Sequence, residues 1–163
     1  MPRTATDAET RIVSDDHAAI RLWLRMLATN RLIETRMRRL LQEHYSTTLP
    51  RFDLMAQLER MPGGLKMGEL SRRMMVTGGN VTGITDMLER EGLVERVDDR
   101  DDRRAWRVKL TPAGRRAFTA MAREHERWIV EAFAALSARE MSVMAGCLGR
   151  LKTDVRSLEG LDA

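Results

Sequence analysis

The chain is 163 residues long, 43% hydrophobic and 32% charged, enough apolar material for a compact core and too much for a disordered chain. Only 4% is aromatic, while 12 Met stand among many Leu and Ala, a set that favours helices because unbranched side chains lose little rotamer freedom there. One cysteine excludes a disulfide framework and fits a reducing cytoplasm; no apolar run approaches the ~20 residues needed to cross a bilayer; and a net charge of +4 permits a nucleic-acid partner without requiring one.

Residues 1–14 are polar and read as a flexible tail, not a signal peptide. Ser14, Asp15 and Asp16 then offer a capping oxygen and acids for the positive end of a helix. From there to about Tyr45 no Pro or Gly intervenes, and Ile20, Trp23, Leu24, Leu27, Ile33, Met37, Leu40 and Leu41 recur at helical spacing. A helix of ~30 residues is ~45 Å long, more than a small core needs, so it is expected to serve as scaffold or dimer element. Pro50 opens a second helix, inward-facing at Phe52, Met55 and Leu58 and stopped by Pro62-Gly63-Gly64. A short helix is predicted over Lys66 to Met74 and another over Thr77 to Glu91, closed by Gly92.

The pattern then changes. Leu93 to Val97 is rich in Val and Leu, and Trp106 to Leu110 alternates with period two, so both read as strands. The loop between them, Asp98 to Arg104, is entirely charged and is expected to be a solvated hairpin tip. Thr111-Pro112 starts a helix expected to reach Leu136, and Ser137 with Glu140 forms a capping box for the last one. That last helix carries Met141, Met144, Leu148, Leu151, Val155 and Leu158 at a 3-4-3-4-3 spacing, a coiled-coil-like seam. With Ile20 and Leu24 of the overlong first helix, these residues are expected to form a homodimer contact. The domain reading is a tail (1–14), a helical dimerisation region (15–48 and 111–163) and a DNA-binding region (49–110).

The two short helices place Leu70, Val76, Val81, Ile84 and Leu88 inward, with small Ser71 where they approach. This is a helix-turn-helix pattern, whose second helix enters the ~12 Å major groove. The hairpin that follows reads as a wing, its Arg100, Arg103 and Arg104 able to reach the adjacent minor groove. From Lys66 to Leu110 ten basic residues meet nine acidic ones, so any DNA contact rests on placed residues rather than on a blanket of charge.

Several segments carry a family resemblance: Leu49-Pro-Arg-Phe52, Gly68-Glu-Leu-Ser71, Val76-Thr77 with Asn80-Val-Thr82, Leu88-Glu-Arg-Glu-Gly-Leu-Val94, Asp102-Arg-Arg-Ala105, Leu110-Thr-Pro-Ala-Gly114 and Leu136-Ser-Ala-Arg-Glu140. In this order the chain resembles the MarR family of bacterial winged-helix regulators, from about Asp15 to Leu158. The resemblance implies a mainly α fold with a small β-hairpin wing (α+β) and an intertwined homodimer through the terminal helices. It also implies a transcriptional regulator, most often a repressor of a palindromic operator. It assigns Arg104 to the minor groove and Asp102 to orienting it, leaving Asp98, Asp99 and Asp101 solvated. Gly83 and Met87 stand where many members carry Arg, so Asn80 and Thr82 are the candidates for base edges, with Ser71, Arg72, Arg73 and Thr77 on phosphates and Gly79 allowing close backbone approach.

The family's effector pocket lies between dimer helices and winged lobe. Trp23, Met26, Arg51, Phe52, Met55 and His125 are its candidate lining here, a wall that suits an aromatic acid or its acyl-thioester. Metal sensing and redox sensing are two other regulatory modes for such a chain. Glu43, His44 and His125 form a conceivable zinc set, although each is more economically a structural residue, and no cysteine occupies the first helix for redox sensing. Cys147 is read as a buried inert thiol. No Ser, Cys or His among His17, His44 and His125 sits in an activating motif, and no Gly-rich phosphate loop is present, so an enzyme is not expected and no cofactor is implied. A dimeric helical interaction module is the remaining alternative; it would not need the wing arginines.

Overall fold

The computed structural model describes residues 17–99 and 105–158, in the order α1 (Ala18–Tyr45), α2 (Leu49–Glu59), β1 (Leu65–Lys66), α3 (Met67–Met74), α4 (Gly78–Arg90), β2 (Val94–Asp98), β3 (Trp106–Leu110), α5 (Pro112–Ala132) and α6 (Ala138–Leu158). The mainly α fold with a small antiparallel sheet agrees with the expectation. The chain divides into two compact units, Met1–Glu126 and Arg127–Ala163. The tail and the Ser14 helix start lie outside the described residues.

In the first unit the core is built from Met37 and Leu41 of α1, Phe52, Leu54, Met55 and Leu58 of α2, and Leu65, Leu70, Val81, Ile84, Leu88, Val94, Val108 and Leu110 of the elements that follow. The sheet has the order β1-β3-β2. β1, two residues flanked by glycine and helix, is too short to give a period-two signal and was not anticipated. Helix α3 begins where the Lys66 amide donates to the Glu69 carboxylate at 2.8 Å. Gly92, at φ +69°, adopts the left-handed turn that ends α4 and sends the chain into β2.

The start of α5 explains a motif that the sequence could only display. Thr111 donates from its amide to the Leu93 carbonyl at 3.1 Å and from its hydroxyl to the Gly92 carbonyl at 2.7 Å. The same hydroxyl accepts the Gly114 amide at 3.0 Å, an N-cap. This draws Gly114 so close that a Cβ there would lie 1.8 Å from the Leu93 carbonyl oxygen.

The second unit contains the end of α5 and all of α6. The helix expected to run to Leu136 stops at Ala132, because residues 133–136 tighten into i→i−3 bonds, Ala134 to Glu131 and Leu136 to Phe133. The predicted capping box is present. The Ser137 amide and hydroxyl donate to Glu140 at 2.8 and 2.6 Å, and the Glu140 amide returns a bond to the Ser137 hydroxyl. These bonds hold the Glu140 carboxyl below its usual range. No residue of α6 is buried, and Cys147, expected to be buried, is exposed.

Candidate nucleic-acid interface

Helices α3 and α4 meet through a three-residue turn. Met75 takes a left-handed conformation (φ 53°). The Ser71 hydroxyl donates to the Val76 carbonyl at 2.6 Å, and the Val76 amide returns to the Ser71 carbonyl at 3.2 Å. Ser71 is therefore small for packing and also spends its only donor stitching the turn. Thr77 precedes α4 in extended conformation, its carbonyl accepting from Asn80 and Val81.

The inward face of α4 is Val81, Ile84, Thr85 and Leu88, all buried. Its outward face presents Gly79, Asn80, Thr82, Gly83, Met87 and Arg90. Asn80 and Thr82 flank this face, and the middle is bare at Gly79 and Gly83. A Cβ at Gly78, Gly79 or Gly83 would meet nothing within 4 Å, so the fold itself does not demand glycine there. The Thr82 hydroxyl donates to the Gly78 carbonyl at 3.0 Å, leaving its oxygen as acceptor. Arg72 and Arg73, exposed at the end of α3, make no ion pair with another described residue.

The wing base is held from both faces. Strand register pairs Val94 with Leu110, Arg96 with Val108, Asp98 with Trp106 on one face, and Glu95 with Lys109, Val97 with Arg107 on the other. On the first face Arg96 forms ion pairs with Asp86 and Glu89 of α4, tying the wing to the helix. On the second, Asp99 continues the pairing through its amide to the Ala105 carbonyl at 3.0 Å. Its carboxylate is wholly buried against Arg107 at 2.6 Å and Lys66 at 3.4 Å, and Arg107 also donates to the Gly64 carbonyl at 3.0 Å. Asp99 was expected to be solvated and is not. Its cationic partners arrive from β1 and β3, which a run of charges in the sequence does not announce. Arg100, Asp102, Arg103 and Arg104 lie outside the described residues.

This architecture has close relatives. The MarR family model matches residues 47–106, spanning α2 to the start of β3. A MarR family transcriptional regulator from Silicibacter pomeroyi is 33% identical, with TM-score 0.74 over 87% of this chain and 99% of that one. The transcriptional activatory protein BadR of Rhodopseudomonas palustris is 32% identical over 71% of this chain and 70% of its own length. AbsC, a MarR family regulator from Streptomyces coelicolor, shares the fold at TM-score 0.76 and 21% identity, over 91% of this chain and 99% of that one. The chain belongs to the MarR family. It is thus a winged-helix, DNA-binding transcriptional regulator and not an enzyme.

The remaining candidates of this MarR-family chain are spread over the two units. Phe52 stacks on His125 with ring centroids 4.5 Å apart and lies 5.4 Å from Phe118; burial lowers the His125 pKa. Met55 is part of the core. Arg51 is tied to Glu91 at the end of α4, while Trp23 and Met26 lie on α1, exposed and half-buried. Two grooves of the first unit, about 800 and 340 Å³, are lined by none of these six. Glu43 pairs with Arg39 along α1 at 3.0 Å, and no cluster of three or more His, Cys, Asp or Glu gathers among the described residues. The proposed dimer residues Ile20, Met141, Met144, Leu148, Leu151, Val155 and Leu158 are exposed, and Leu24 is half-buried. No helix among the described residues is long and apolar enough to cross a membrane.

Proposed function

We propose that the chain works in the cytoplasm as a homodimer that represses a palindromic operator and is released by a small ligand. The observation that carries the dimer is α6: six apolar side chains at seam spacing, each more than two-fifths exposed. Water-exposed apolar surface of that regularity favours burial against a second copy. A two-fold dimer doubles the recognition helix, and half-site symmetry in the DNA follows. In this reading Asn80 and Thr82 read base edges. Thr77, Arg72, Arg73 and the Ser71 region meet phosphates, with Gly79 allowing close approach. Arg100, Arg103 and Arg104 serve the minor groove, with Asp102 orienting Arg104. A ligand releases DNA only by binding the other conformation more tightly. The aromatic cluster of Phe52 and His125, with Arg51 adjacent in sequence, favours an aromatic acid or its acyl-thioester.

The test selects bound sequences from random duplexes and sediments the protein alone and with the selected duplex. A palindromic consensus bound by two chains is expected. A monomer without sequence preference overturns the reading in favour of a helical interaction module. Aromatic acids and acyl-thioesters added to the complex should release it; no release by either class removes the ligand. The name of BadR as an activatory protein favours a second reading, activation from the same operator, separated from repression by transcription in vitro.

A further inference from the structure

Trp106 opens β3 and is 56% exposed, although an indole is among the most favourable side chains to bury. Its direction is fixed by the strand. Alternation puts Trp106 on the face of Val108 and Leu110, which are 0% and 6% exposed, so the apolar face of β3 begins in the core and runs out of cover toward the wing tip. The cross-strand neighbours on that face are Asp98, opposite Trp106, and Arg96, opposite Val108. Arg96 reaches Asp86 and Glu89 of α4, so this is the α4 side of the sheet. Trp106 therefore stands beyond the core, on the recognition-helix side of the wing. The opposite face is pinned by Asp99, Lys66 and the Arg107 bond to Gly64, so the strand carrying the ring is held in place without help from Trp106.

We propose that Trp106 is a contact to the DNA sugar–phosphate backbone, its ring lying on a deoxyribose and its Nε1–H donating to a phosphate oxygen. This rests on the winged-helix binding reading above. A duplex that takes α4 in the major groove and the wing in the neighbouring minor groove must pass the intervening strand across this face. Backbone contacts of this kind fix register without reading sequence. The group suits the place: Arg96, the cation on this face, is already paired with two acids of α4. A neutral ring with one donor suits the sugar and a single phosphate oxygen beside a described cation, Arg96, that is already paired.

The test uses the full chain and its selected duplex, with a random duplex beside it. Trp106→Ala should weaken both by about five- to tenfold, the worth of one aromatic contact. The selected consensus should stay the same and the thermal midpoint of the free protein should hold. Trp106→Phe, keeping a ring but no donor, should fall between. Emission of a Trp23→Phe variant should change on DNA addition, because Trp128 is buried and Trp106 is then its exposed indole. Unchanged affinity of Trp106→Ala, an altered consensus, or loss of thermal stability in both variants overturns the proposal. Failure of the unsubstituted chain to bind any duplex overturns the underlying DNA reading instead.

Discussion

The winged lobe and the last helix are built on opposite terms. In α2, α3, α4 and the three strands every element contributes buried apolar side chains, and cross-element ion pairs join α4 to β2 and β1 to the wing. Helix α6 has 21 residues and buries none of them. Its boundary is well made, by the Ser137–Glu140 box, but local capping supplies only about 1 kcal/mol. The contrast teaches that good local signals fix where a helix begins, while its stability depends on covering its apolar face. The lobe does that within one chain. In α6 the apolar face stays exposed, and the proposed dimer is what would cover it.

The largest effect should come from striking the uncovered face. The double substitution Leu148→Asp, Leu151→Asp places two charges on the seam and should abolish self-association in sedimentation. Retention of a dimer would show that the seam is elsewhere. Gly114→Ala strikes the lobe, forcing a methyl into the Leu93 carbonyl. It should cost ~3 kcal/mol or more, because rigid backbone must move, read as a drop in thermal midpoint; an unchanged midpoint refutes the close approach.

Asp99→Ala should cost about 1–3 kcal/mol, less than breaking a fully buried pair, because Lys66 and Arg107 are one-third exposed and regain water. Operator affinity should fall with it, as the wing loses its anchor, and a normal affinity would detach wing order from Asp99. Arg104→Ala should weaken operator binding by ~1–3 kcal/mol without altering stability; equal affinity by titration would remove it from the interface. The smallest effect concerns His125. Burial lowers its pKa in the fold from 6.5, so the unfolded chain takes the proton more readily. The stability contribution of the neutral ring is present above that value and is lost as pH falls below it. Thermal midpoints from about pH 7.5 to 5.5 should decline less in His125→Phe, which keeps a ring against Phe52 but does not titrate.

How much of this was legible varies with the range of the interaction involved. Gly92 and the Ser137–Glu140 box rest on bonds between near neighbours, so composition and spacing revealed them. The inward set Leu70, Val81, Ile84 and Leu88 follows from helical period alone. Asp99 is buried, although a run of seven charged residues predicts a solvated tip. Cys147 is exposed, although its place beside the seam predicts burial. Gly114 was visible as part of a family motif, but its reason, the approach to Leu93, joins two elements.

The sequence by itself therefore determined the helices and the two wing strands, the order in which they come, and the family to which the chain belongs. Periodicity, caps and turn residues act within a few positions and survive without a partner. Only the tertiary structure decided which charges are buried, which face of the wing carries Trp106, and which apolar surface remains uncovered. Those depend on strand register, where a shift of one residue exchanges the two faces of the sheet, and register is set by contacts between distant segments.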